Sequence, residues 1–369
     1  MGSFAFIIHP LDSGDVARKF PFTRYLPERV VEGLLKYAPP VKTSHITGIR
    51  SAQAEAEGWF IGCTLTSRQM MTLPVPFVLR KIIAAGQVAE KLGAKIVGLG
   101  AFTSVVGDAG VTVARHLGIP VTTGNSYTVA TALEGTKEAA RIMGIDLRTA
   151  QVVIVGATGS IGSACARIMA RDVRYLTMVG RDSEKLEGLA RRIVSESGLS
   201  PRLTTDLKAA LVDADIIITV SSATGSIIMP ELLKPGAVVC DVARPRDVSK
   251  LVVEKRDDVL VIEGGVVQIP GDVDFNLNFG FPPRTGYACM AETILLALEE
   301  RYESFTLGRE ISVEKVDEIS RLARKHGFRL AGFRSFDRAV TREDIERIRR
   351  NAFRKKSQNA VVSVSTTGK

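Results

Sequence analysis

The chain has 369 residues, 45% hydrophobic and 24% charged, a globular composition with length for two substantial cores. No apolar run reaches the roughly 18 to 20 residues of a membrane span. The opening MGSFAFIIHPLDSGD lacks a basic stretch followed by a signal-type apolar core, and four scattered cysteines (Cys63, Cys165, Cys240, Cys289) make neither a disulfide framework nor a zinc site, so a cytoplasmic protein is expected.

The 49 Lys and Arg against 40 Asp and Glu leave a net charge of +9, which favours acidic partners. No helix-turn-helix, zinc-finger or RNA-binding aromatic motif points to nucleic acid. In chain order, residues 1–130 read as an N-terminal substrate domain of short strands and helices, punctuated by Pro21, Pro27, Pro39, Pro40, Pro74 and Pro76. Within it, 78–106 predicts an amphipathic helix capped by Gly93, then an apolar strand ending in a polar turn. Residues 122–145 predict a turn and a long helix leading into a dinucleotide-binding domain over 131–285. There Val152, Val153, Ile154 and Val155 form the continuous apolar run of a strand covered on both faces. The turn GATGSIG, a helix carrying Ala164, Ala166, Ile168 and Met169, and a second strand at 176–180 follow. Further apolar strands are expected at 214–220, 236–243 and 258–265. The fold class is therefore α/β: a doubly wound parallel sheet of Rossmann type, with a second α/β substrate domain completed by C-terminal helices. Helices at 288–305 and 310–327 belong to a segment, 286–356, expected to pack back on the substrate domain. Residues 357–369 lack helical periodicity and are expected to be a disordered tail.

The turn at 156–162 carries cofactor chemistry. Gly156 permits the sharp turn, Gly159 lets backbone approach a diphosphate, and Gly162 lets the helix pack closely on the strand; Thr158, Ser160 and Ile161 complete the candidate cradle at the helix start. Nineteen residues beyond Gly162, where a cofactor lacking a 2′-phosphate meets an acid, stands Arg181, whose guanidinium pairs bidentately with phosphate. NADPH is the expected cofactor, although Asp182 follows directly. Ligands of open α/β sheets lie beyond the carboxyl ends of the strands, so Ser221, Ser222 and Thr224 are candidates for the nicotinamide ribose. Gly264 and Gly265 are candidates for a close approach of the nicotinamide ring; ordinary turn chemistry is the other reading of all five.

Cys289 follows the loop FGFPPRTGYA and opens a helix, where the positive end of the macrodipole favours a reactive thiolate. Such a thiol takes an acyl group and holds it for hydride delivery; a small buried hydrophobe is the alternative. Glu292, three residues along the same helix, is either a proton carrier or a packing carboxylate. Cys165 and Cys240 read as core, while Cys63 is open between core and substrate channel. The four histidines are isolated; His326 reads as a helix-terminal cap, and His9 as the one to test. Cations concentrate at Arg321, Arg324, Lys325, Arg329, Arg334 and Arg338, and again at Arg347, Arg349, Arg350, Arg354, Lys355 and Lys356, either a docking surface for an acidic partner or a solvated face.

YACMAETILLALEE around Cys289, AFTSVVGD at 101–108, TTGNSYT at 122–128, VGATGSIGSA at 155–164, EGGVVQIPGDVDF at 263–275 and LGREISVEKVDEISRLARKHGF at 307–328 resemble the long-chain acyl-(acyl-carrier-protein) reductases of cyanobacterial type. The chain departs from that pattern after Cys63, at TLTSRQ, and in the Arg-rich segment 339–356. The resemblance implies NADPH-dependent reduction of a fatty acyl thioester to an aldehyde, with the nucleophile at Cys289. It also implies an acyl carrier protein or acyl-CoA as donor, an aldehyde-consuming enzyme as partner, and stimulation by Mg2+, for which no residue set stands out as a metal site. The dinucleotide half alone is also similar to the shikimate dehydrogenases, which leaves a dehydrogenase of a small hydroxy or keto acid, or an NADPH-holding redox sensor, as alternatives.

Overall fold

The computed structural model describes the backbone of residues 1–366 except Thr224, Phe279 and Asp337, and their side chains except those of Ser13, Arg18, Lys19 and 359–366. The chain forms two compact units, Met1–Tyr127 with Val267–Arg329, and 128–266 with the segment from Leu330 onward.

The first unit is built on a six-stranded mixed sheet. Its strands are β1 (Gly2–Ile8), β2 (Val41–Arg50), β3 (Glu55–Gly62), β4 (Val97–Leu99) and β5 (Val121–Thr122), with Gly271–Asp274 at the edge beyond β2. Strands β3, β1, β4 and β5 run parallel in that order, and β2 is antiparallel to β3. Alternation along β1 sorts the two faces. Ala5 and Ile7 join Val97 and Leu99 in a core with Val78, Ile82 and Ala85 of the helix Val75–Lys91. On the other face, Gly98 leaves room for Phe6 and for Thr293 of the helix Ala288–Leu298. That helix is apolar almost all round, as a helix buried on every side must be.

The second unit holds β6 (Gln151–Val155), β7 (Tyr175–Val179), β8 (Arg202–Thr204), β9 (Ile216–Thr219), β10 (Val238–Asp241) and β11 (Leu260–Glu263). All pair in parallel, in the order β11-β10-β9-β6-β7-β8. This is the doubly wound sheet read from the sequence, with its direction of winding reversed between β6 and β9.

The units differ from the expected domains in two places. Residues 267–285 belong to the first unit because Gly271–Asp274 pairs antiparallel with β2. The C-terminal helix Arg342–Thr366 belongs to the second unit instead of packing on the substrate domain: Asn351 and Lys355 bond to Asp257, and Arg349 to the carbonyl of Ile142. The helix also runs through 357–366, part of the expected tail; 367–369 lie outside the described residues. It starts on a reciprocal cap between Thr341 and Asp344, and no Gly or Pro occurs from 333 to 367 to stop it.

Candidate functional site

In the second unit the chain leaves β6 at Gly156, in the left-handed region at φ 77°. A β-carbon there would lie 2.9 Å from Val220 O and Ser221 Cα, so glycine lets the ends of β6 and β9 meet. A β-carbon on Gly162 would overlap the carbonyl of Gly156, so the close packing expected against the strand is made against the turn that leaves it. Gly159 has ordinary φ and would meet only Gly156 O, at 3.3 Å, so protein packing explains it least. It is the N-cap of the helix Ser160–Met169, and no side chain caps that helix. The free N–H groups of an uncapped helix start, reached across a glycine, fit a diphosphate, with Gly156, Thr158, Gly159, Ser160, Ile161 and Gly162 as the residues to hold it.

Arg181 stands exposed just past β7 and, among the described residues, has neither hydrogen bond nor ion pair. Asp182 is occupied: it caps the helix Ser183–Ser197 by accepting from Lys185 N at 3.1 Å, and it pairs with the Lys185 ammonium at 3.0 Å. The cation at the cofactor-selecting position is thus available and the neighbouring acid is not.

The other expected ribose and nicotinamide contacts differ. The Ser221 hydroxyl donates to Asp247 at 2.6 Å and its N–H to the same carboxylate at 2.8 Å, so this residue anchors the end of β9 under Gly156. Ser222 is exposed, and Thr224 lies outside the described residues. A β-carbon on Gly264 would crowd Val242, Ala132 and Cys240, so protein packing already requires a small residue there; Gly265 sits at φ 87°. A buried acidic group at the carboxyl end of β10 was not singled out from the sequence. Asp247 is fully buried and also accepts from Thr219, while Asp241 accepts from the N–H groups of Ala243 and Val248, both at 3.0 Å. Burial pushes the Asp241 carboxyl up to about 6. Beside them, Arg244 and Arg246 bracket Glu263 at 3.4 and 2.9 Å. The signal available was DVARPRD following an apolar strand.

In the first unit, the helix Ala288–Leu298 runs back along the sheet, with Ala297 beside Gly2 and Thr293 beside Gly98. Cys289 therefore lies toward the carboxyl ends of the parallel strands β1, β4 and β5. Gly124, just past β5 at φ 74°, presses backbone to backbone against it: a β-carbon on Gly124 would overlap Cys289 Cα and O. Glu292, one turn further along, is fully buried. It accepts from the hydroxyls of Thr122 and of Thr306, the latter at 2.8 Å, and from Tyr127 N–H at 2.9 Å. Thr306 N–H returns to the Thr122 hydroxyl at 3.1 Å, so one carboxylate ties the helix to β5 and to the turn that meets Cys289. Burial raises the Glu292 pKa against these three donors.

Of the four cysteines, Cys289 alone is half-buried; the others are buried. Burial pushes its thiol up to about 12, with the Glu292 carboxylate adding to the rise and N–H groups of Met290 and Cys289 itself opposing it. Desolvation thus works against the pull of the helix start toward the thiolate. Cys63 lies in the core of the first unit, its thiol pushed up to about 11 by burial, and Cys165 and Cys240 are core as expected.

His9 is held by backbone on both ring nitrogens, Nδ1 against Pro10 O at 3.0 Å and Nε2 accepting from Phe102 N–H at 3.2 Å, and burial lowers its pKa. This arrangement suits a neutral positioning group for the 101–104 turn. His326 ends its helix, as read, but is also buried against Glu299 and Ser51. The C-terminal cations are partly spent within the chain: Arg347 pairs with Asp344, Lys355 with Asp257 and Asp258, Lys325 with Glu299, and Arg334 is buried. Among the described residues no group of three or more His, Cys, Asp or Glu is arranged to hold a metal ion, and no helix is long and apolar enough to cross a membrane.

The Shikimate / quinate 5-dehydrogenase family matches residues 137–263, which lie within the second unit. Over 323 residues the chain is 32% identical to the aminotransferase PigE of a Serratia species, a match covering 86% of this chain but only 37% of that protein, so the chain spans just over a third of that relative's length. It is 30% identical over 329 residues to the long-chain acyl-(acyl-carrier-protein) reductase of Synechococcus elongatus, covering 85% of this chain and 94% of that one. Over 177 residues it is 29% identical to the NADP(+) shikimate dehydrogenase of Methanosarcina mazei, covering 45% of this chain and 62% of that one.

Proposed function

The chain belongs to the family of the long-chain acyl-(acyl-carrier-protein) reductases and is an NAD(P)-dependent oxidoreductase, and on that premise we propose that it reduces a long-chain fatty acyl thioester to the aldehyde with NADPH, through an acyl-cysteine at Cys289. The observation that carries this reading is the placement of Cys289: it is the half-buried cysteine of the four, at a helix start, against the backbone of Gly124.

Cys289 enters as the thiol. Its sulfur attacks the thioester carbonyl, the bond from that carbon to the donor sulfur breaks, and the thiol proton leaves on the donor thiol. When bound, the nicotinamide cofactor supplies a hydride to the acyl carbon. Backbone N–H groups at the start of the Cys289 helix stabilise the oxyanions formed before and after that transfer. Collapse of the hemithioacetal anion frees the aldehyde and returns the Cys289 thiolate, which takes up the one proton the overall reaction consumes. Arg181 supports NADPH over NADH, since a free guanidinium at that position suits a 2′-phosphate.

An acyl carrier protein or coenzyme A delivers the acyl group, and an enzyme consuming the aldehyde is the natural partner. The match over 137–263 favours a second reading, a dehydrogenase of a small hydroxy or keto acid. The test follows NADPH oxidation and aldehyde release with palmitoyl thioesters of carrier protein and coenzyme A, with shikimate and NADP+ run beside them. Stoichiometric aldehyde supports the first reading. Turnover confined to shikimate supports the second.

A further inference from the structure

The segment 20–42 of the first unit carries apolar side chains on the outside. On the helix Glu28–Tyr37, Val31 and Glu32 face inward, while Val30, Leu34 and Tyr37, at spacings of four and three, form an exposed stripe; Leu34 is 60% and Tyr37 76% exposed. The turn leading into this helix adds Phe22 and Tyr25, 62% and 90% exposed. Single exposed apolar residues need no explanation, but a helical stripe preceded by exposed aromatics does.

The charges around this segment are mostly of one sign. Arg24, Arg29 and Lys42 are exposed, and Lys36 stands 5.5 Å over the Tyr37 ring. Arg80 and Lys36 both lie over the Phe77 ring, each at 5.7 Å. Of the carboxylates in the helix, Glu32 is buried and spent on Arg68 and Thr66, which leaves Glu28. A stripe of apolar and aromatic side chains with cations held over the aromatic rings is the composition of a surface that sits at the headgroup level of a bilayer. A second copy of this chain on the same face would set Arg24, Arg29 and Lys42 against like charges.

We propose that this face of the first unit binds the interface of an anionic lipid bilayer, the apolar stripe entering the acyl boundary and the cations meeting lipid phosphate. Since no helix among the described residues is long and apolar enough to cross a membrane, the contact is interfacial and reversible.

The test is co-sedimentation of the full chain with phosphatidylcholine vesicles, with and without phosphatidylglycerol. Binding is measured without substrate or cofactor, so its outcome is independent of the reaction proposed above. The expected result is binding to the anionic vesicles, weakened by salt, and little binding to phosphatidylcholine alone. The double variant Leu34→Glu with Tyr37→Ser should partition at least about tenfold more weakly with an unchanged circular dichroism spectrum, both positions being exposed. Tyr37→Trp provides a second readout, a blue-shifted emission on anionic vesicles beyond that of Trp59 in the wild type. The proposal is overturned if the wild type stays in the supernatant with anionic vesicles, or if the double variant binds them as the wild type does. It is equally overturned if the variant loses affinity for an acidic carrier protein while vesicle binding is untouched, which would make the face a protein interface.

Discussion

Gly124 and Cys289 touch through their backbones, and Gly124 holds a conformation, φ 74°, that side chains rarely adopt. Gly124→Ala should therefore lose about 1 to 3 kcal/mol of stability from strain and overlap together. It should also slow acylation of Cys289, because the overlap is relieved by moving the nucleophile's own backbone. Urea unfolding and single-turnover acylation check the two parts. Wild-type values in both would show that the contact is loose.

Glu292 collects three donors in a fully buried place, so removing the carboxylate leaves Thr122, Thr306 and Tyr127 N–H without it. Glu292→Ala should cost about 3 kcal/mol or more. Glu292→Gln, which keeps one acceptor oxygen but turns an amide N–H₂ toward a donor, should fall between. Equal unfolding midpoints for the two variants would contradict the network.

The sequence made the second unit legible because a parallel strand buried on both faces leaves a continuous apolar run, and because Gly156 takes a left-handed φ at the turn and Gly162 packs on the Gly156 carbonyl. The helix that opens at Cys289 was legible from the loop before it. The network at Glu292 was not, since its donors come from β5, from residue 127 and from residue 306, partners that only the tertiary fold brings together. The destination of Gly271–Asp274 was hidden for the same reason: alternation announces a strand and not the sheet it joins. The burial that raises the Cys289 thiol was not legible either, because a helix start is visible in sequence and desolvation is not.

If Arg181 grips the 2′-phosphate, Arg181→Ala should raise the Michaelis constant for NADPH by about 10- to 100-fold, the effect of losing a charge-assisted hydrogen bond, and leave that for NADH nearly unchanged. Steady-state kinetics with both cofactors decide it. Equal losses would make Arg181 structural.

Asp241 gives a pH signature. Its carboxyl is raised by burial from 3.8 to about 6, so its contribution to stability is fully present below about pH 4 and is lost as pH rises through about 6. Two units correspond to about 3 kcal/mol at most. The stability of the wild type relative to Asp241→Asn should therefore fall across that window, as read by urea unfolding at a series of pH values. Parallel curves for the two proteins would remove Asp241 as the source.

In the proposed reaction Cys289 carries the acyl group. Incubation of the intact protein with palmitoyl thioester, without NADPH, followed by mass spectrometry, reads that step most directly. One palmitoyl increment is expected on the wild type, discharged when NADPH is added, and none on Cys289→Ser. An increment that persists in Cys289→Ser, one that maps to Cys63, or a wild type that stays unmodified while still forming aldehyde would contradict that role.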